Sequence, residues 1–67
     1  MSGEEKRVEF ILTCDDESAR YTLKRAGTRA RVFHSVEEAL DYAQNTSKGA
    51  RVTAVTPGGQ AIFETIV

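Results

Sequence analysis

Sixty-seven residues make one domain with a thin core, because a chain this short buries only about 60% of the surface its unfolded form exposes. With 40% hydrophobic and 28% charged residues and a formal net charge of −1, it is too apolar for disorder, has no apolar run near the roughly 18 residues of a membrane span, and shows no apolar leader after Met1. Its one cysteine, Cys14, excludes an internal disulfide and points to a reducing, cytoplasmic compartment.

Residues 1–5 are small, polar and acidic and are expected to fray. From Arg7 to Cys14 the chain alternates, with Val8, Phe10, Leu12 and Cys14 on one face and Glu9, Ile11 and Thr13 on the other. Period two with aromatic and β-branched residues predicts a half-buried strand. Asp15-Asp16-Glu17-Ser18 is a polar turn, its aspartates suited to bonding nearby backbone. Alternation resumes with Ala19, Tyr21 and Leu23 facing one way and Arg20, Thr22 and Lys24 the other, so the two runs form a hairpin. Ala26-Gly27-Thr28 is a second turn, and Arg29 to Phe33 a short third strand. Alternation alone leaves open whether Val32 or Phe33 points inward, since both are apolar.

His34-Ser35-Val36-Glu37-Glu38 carries the sharpest local signal. Ser35 can cap the first helical amides while Glu38, three residues on, reaches back to the cap's own amide. Val36, Ala39, Leu40 and Ala43 then recur at i, i+3, i+4 and i+7, predicting a helix over roughly residues 36–47 with a narrow stripe of small apolar groups. Gly49 marks its stop. Arg51–Thr56 and Ala61–Val67 read as two more strands joined through Pro57-Gly58-Gly59-Gln60, where proline presets one turn dihedral and a following glycine accepts the reversed one. The expected fold is α+β: an antiparallel sheet of two hairpins plus the short third strand, with one helix packed on one face.

Charge is unevenly spread. Residues 1–17 hold two basic and six acidic groups; residues 18–34 hold Arg20, Lys24, Arg25, Arg29 and Arg31 and no acid. Phosphate contacts need such a cluster on one face, so these five are candidate nucleic-acid contacts. The plainer reading is a solvated strand face that resists edge-to-edge aggregation. The last strand is apolar on both faces, and Ile62, Phe63 and Ile66 are candidate residues of an interface with a second copy.

Catalytic and metal chemistry find little footing. A thiol nucleophile needs a base within hydrogen-bond reach, yet alternation puts Cys14 on the apolar face and His34 at the helix start. One Cys and one His fall short of a zinc site's four ligands, and Asp15-Asp16-Glu17 lacks the spacing of a calcium loop. Gly58-Gly59 precedes a strand, whereas a phosphate-binding loop leads into a helix. No cofactor, membrane or small-molecule substrate is inferred, and the chain reads as a non-enzymatic interaction module.

One stretch resembles a family of small bacterial domains of unknown function. Tyr21-Thr22-Leu23-Lys24, Gly27, Arg31-Val32-Phe33, Ser35-Val36-Glu37-Glu38-Ala39 and Ala43 follow its pattern of aromatic-x-Val-Lys, glycine turn, basic residues, Phe, and Ser or Thr-x-Glu-Glu-Ala opening a helix. Tyr21 stands where that family usually has tryptophan, and the closing hairpin lacks its His and Asp-Gly signature. The resemblance implies the same element order and a bacterial cytosolic setting, and brings no activity with it.

Overall fold

Period-two alternation puts Phe10, Leu12 and Cys14 on one side of the first strand, and the structure, a computed structural model describing residues 8–67, buries all three. The elements in chain order are β1 (Glu9–Asp15), β2 (Arg20–Arg25), β3 (Arg31–Phe33), α1 (Val36–Thr46), β4 (Arg51–Val55) and β5 (Ala61–Ile66). They build one sheet ordered β3-β2-β1-β4-β5, so β1 is its middle strand. The expected class holds, and so does the succession of elements. The fraying expected of residues 1–5 and the strand start expected at Arg7 lie outside the described residues.

The sheet is mixed rather than antiparallel. β1, β2 and β3 form an antiparallel meander and β4 pairs antiparallel with β5, but β1 and β4 run parallel, with Leu12 opposite Ala54. The cause is the connection. α1 carries the chain from β3 back over the sheet, so β4 enters beside β1 in the same direction, as a helical crossover does.

Ser35 caps α1 as expected: the Glu38 amide donates to Ser35 Oγ at 3.1 Å. The return bond differs by one residue, since Glu38 Oε1 accepts from the His34 amide at 3.1 Å instead of from Ser35. Ala39 and Ala43 are fully buried, with Val36 and Leu40 packed at the flanks of the stripe. Opposite them lie Phe10, Leu12, Leu23, Val52 and Ala54. Small residues on the helix let it seat close to the sheet, and its main neighbours are β1, β2 and β3. Behind the helix the chain is tied down on two sides: the Arg51 amide donates to Val8 O at 2.9 Å and the Val67 amide to Ala50 O at 3.0 Å.

One local detail departs from the sequence reading, and two that it left open are settled. Ala19 is not an inward strand residue; it ends the β1–β2 turn in the left-handed region at φ 54°. The reversed dihedral of the last hairpin falls on Gly59 (φ 93°), with the Gly59 amide donating to Thr56 O at 2.8 Å. That is a type I turn over Pro57-Gly58 followed by a left-handed residue, a common three-residue hairpin loop. Finally, Phe33 settles the ambiguity in β3: it faces α1, its ring 5.4 Å from that of Tyr42, while Val32 faces away.

Large fully buried side chains are few, Leu12 and Val52 above all. Domains of this size hold about 3–10 kcal/mol at typical per-residue stabilities, so Leu12→Ala, which should remove about 2–5 kcal/mol, is expected to unfold most of the population in mild urea. Ala19→Gly should act in the other direction. Relieving a left-handed alanine is expected to raise the unfolding free energy by about 1 kcal/mol; a fall in the urea midpoint would contradict the φ observed there.

Candidate functional site

The sheet has two unlike faces. Directly paired residues share a face, so the registers place the paired side chains; Ile62, unpaired at the register shift between Ala54 and Val55, is placed by its alternation with Phe63. On the helix face lie Phe10, Leu12 and Cys14 of β1, Tyr21, Leu23 and Arg25 of β2, Arg31 and Phe33 of β3, Val52 and Ala54 of β4, and Phe63 and Thr65 of β5. The other face, open to solvent, carries Glu9, Ile11 and Thr13, then Arg20, Thr22 and Lys24, then Val32, then Arg51 and Thr53, then Ile62, Glu64 and Ile66.

Four large apolar side chains on the open face stay about half exposed: Ile11 (47%), Val32 (56%), Ile62 (51%) and Ile66 (51%). Beside them Glu9, Ile11, Thr13, Thr22, Lys24 and Ala26 line a shallow depression of about 440 Å³ between β1 and β2. Arg51 crosses the face between two carboxylates, with Nε 3.0 Å from Glu64 Oε2 and Nη1 4.0 Å from Glu9 Oε2. These pairs are well exposed, so each contributes little to stability. The candidate interface residues are thus divided. Ile62 and Ile66 share the open face, whereas Phe63 lies on the helix face beside Ala54, beyond the helix's main footprint and 38% exposed.

The basic block is divided as well. Arg20 and Lys24 project from the open face, while Arg25 and Arg31 pair with Phe10 and Leu23 on the helix face and Arg29 sits in the loop between. The five therefore do not form one surface. Arg25, Arg29 and Arg31 instead line a cleft of about 240 Å³ with Phe10, Leu23, Thr28, Tyr42 and Thr46. Arg31 is stacked on the Tyr42 ring, its guanidinium carbon 4.9 Å from the centroid, a cation–π contact that fixes its position. Gly27, at φ 83°, permits the tight turn that brings Arg29 round, and Thr28 braces it by donating both its amide (3.0 Å) and its hydroxyl (2.8 Å) to Arg25 O. Sequence reasoning missed this cleft although half its signal was present. Continuing the alternation of Tyr21 and Leu23 by one step puts Arg25 inward, and any inward Phe33 carries Arg31 with it.

Cys14 and His34 are not brought together. Cys14 is buried on β1, with its Sγ 3.9 Å from Leu12 O, while His34 follows β3, two strand spacings or about 10 Å away. Burial first, and the Asp16 carboxylate second, push the Cys14 thiol above its ordinary range. Tyr21 donates its hydroxyl to Asp16 Oδ1 at 2.9 Å, and chiefly this bond raises the phenol as well. Among the described residues no group of three or more His, Cys, Asp or Glu side chains is placed to hold a metal ion, and no helix is long and apolar enough to cross a membrane. Comparison with protein-family models, with curated proteins and with solved structures gives no match.

A thiol that is buried and raised in pKa should be inert. Labelling of Cys14 by a maleimide is expected to be slow in the native protein, to set in at higher pH than for a free thiol, and to become fast in denaturant. Rapid native labelling at neutral pH would mean that β1 opens readily or that the thiol is more exposed than its position indicates.

Proposed function

We propose that this protein is a small non-enzymatic interaction module that self-associates through the open face of its sheet. The observation that carries the reading is that Ile11, Val32, Ile62 and Ile66, spread over β1, β3 and β5 and each about half exposed, all lie on the one face that no helix covers. A second copy suits this face because its two halves are complementary. The β1–β2 half holds the depression and Lys24; the β5 half holds the projecting Ile62 and Ile66 and the carboxylate of Glu64. A twofold axis running along the strands between β1 and β4 sets β2 of one copy over β5 of the other. Lys24 then faces Glu64, Glu9 faces Arg51, and Ile62 lies over the depression at Thr22. Such a pairing is isologous and closes on itself.

The size of the face sets the strength. Five strands about 4.8 Å apart and about six residues long span roughly 500 Å² of plane per copy, less than the about 800 Å² each partner contributes to a standard interface. Association is accordingly reversible and concentration dependent. Among the described residues, nucleic acid laid on the same face would meet only Arg20 and Lys24 as unpaired cations, too few for strong phosphate binding. The reading keeps the protein in a reducing cytoplasm, where its one buried thiol suits a chain without disulfides.

Sedimentation equilibrium over a wide concentration range is the test. A monomer–dimer equilibrium in the micromolar range is expected, and a mass that stays monomeric at every concentration would refute it. Ile62→Asp should abolish the dimer while leaving the circular dichroism unchanged. Lys24→Glu and Glu64→Lys should each weaken it, and the double variant should recover much of the loss, as only a Lys24–Glu64 contact across the interface requires.

A further inference from the structure

The cleft on the helix face calls for an occupant that the open face does not explain. Its floor is apolar, made of the small surface that the core residues Phe10 (4% exposed) and Leu23 (2%) leave uncovered. One wall is the ring of Tyr42, itself held by Phe33 behind it and by Arg31 above. Arg25, Arg29 and Arg31, from a strand end, a loop and a second strand, all line the same opening and make its lining cationic. Among the described residues no carboxylate lines it. Both ion pairs among the described residues belong to Arg51 on the opposite face, and Asp41, next to Tyr42 in the chain, accepts from Asn45 Nδ2 at 3.4 Å outside the cleft lining.

Three like charges converging without a counter-charge repel one another, and an anion seated among them relieves that repulsion. Guanidinium forks match the oxygens of a phosphate, each able to donate two parallel hydrogen bonds. The negative pole of α1, about half a unit charge, lies near Thr46 at one end of the rim, and three full positive charges outweigh it. Arg31 is held on its ring and the Thr28-braced turn fixes the backbone that leads into Arg29 before any ligand arrives, which lowers the ordering cost of binding.

We infer that this cleft binds a small phosphomonoester whose non-phosphate part is a single aromatic or compact apolar group. The phosphate lies among Arg25, Arg29 and Arg31, and the apolar group rests on Phe10 and Leu23 against Tyr42. Volume favours a small ligand over a polymer: about 240 Å³ is below the roughly 300–1,000 Å³ of sites for drug-sized molecules. Charge placement favours it too. A polyanion gains by tracking a line of cations, whereas here the other two cations of the block, Arg20 and Lys24, point away on the far face.

Phenyl phosphate is the probe, followed by NMR on the full chain through the backbone amides and the arginine Nε–H signals at constant ionic strength. The expected result is saturable shifts confined to Arg25, Thr28, Arg29, Arg31 and Tyr42. Inorganic phosphate should act on the same residues about tenfold more weakly, and phenol should leave the arginines unmoved. Arg29→Gln, a loop substitution outside the core, should reduce phenyl phosphate affinity at least tenfold, about 1.4 kcal/mol, while Arg20→Gln leaves it unchanged. Shifts of equal size at Arg20, Lys24 and Arg51 would overturn the proposal in favour of general anion screening. Equal binding of phenol and phenyl phosphate would remove the role of the arginines. A short oligonucleotide binding more tightly than phenyl phosphate, with the same residues moving, would replace the small ligand by a nucleic-acid backbone. Repeating the titration on Ile62→Asp, which removes self-association without touching this face, separates the two readings.

Discussion

One helix of eleven residues has to shelter a sheet of five strands, and the rest of the molecule follows from that shortage. The helix spends its cover on β1, β2 and β3, where Ala39 and Ala43 come down on Phe10, Leu12 and Leu23. Towards β4 the core closes with small side chains, Ala50, Val52 and Ala54, which need little overhead cover to reach complete burial. At β5 the cover runs out. Phe63 faces the right way and is still more than a third exposed, because nothing on the helix reaches it. The opposite face receives no helix at all.

The two faces differ in how they handle the resulting exposure. The open face mixes isoleucine and valine with threonine, one cationic edge and a carboxylate–arginine–carboxylate row. Such a surface is too polar for a core and too apolar for plain solvent. That intermediate character suits a weak, reversible interface, whose core is depleted in charge and whose rim is not. The helix face has the reverse order, with an apolar floor and its charge gathered at one end. The same five basic residues that cluster within residues 20–31 serve both surfaces, because strand geometry sends neighbours to opposite sides. A charge count over a segment therefore says nothing about the field at either face until the register is known.

Much of the fold was legible in the residues. Alternation alone put Phe10, Leu12, Cys14 and Leu23 inward, and the Ser35–Glu38 spacing located the helix start to the residue, because both signals are local and each has one dominant physical cause. What escaped depends on tertiary partners. The parallel β1–β4 pairing follows from where the crossover helix lands, which no stretch of sequence encodes by itself. The inward choice of Phe33 over Val32 is decided by Tyr42, nine residues further on, supplying a ring to pack on. Ala19 was misread because a polar turn can consume one residue more than its polar letters show. The cleft was hidden for a related reason: arginine at an inward position looks like an error of alternation until the aromatic wall beneath it is known.

Strand β2 is where the two proposed surfaces meet. Lys24 lies on the open face opposite Ile11, and Arg25, its immediate neighbour, lies on the helix face opposite Phe10. Ligand at the cleft would fix Arg25 and the turn after it, and a second copy at the open face would fix Lys24, so both would order the same strand end. Two binding events that each order one segment reinforce one another even without a change of shape, since the second finds part of the ordering cost already met. In a domain whose large buried side chains are so few, the end of β2 has little else to hold it beyond the pairing of Lys24 and Arg25 with β1 and the Thr28 brace. If both surfaces bind as proposed, favourable coupling between occupancy of the cleft and association through the open face follows from placing adjacent cations on opposite sides of one short strand.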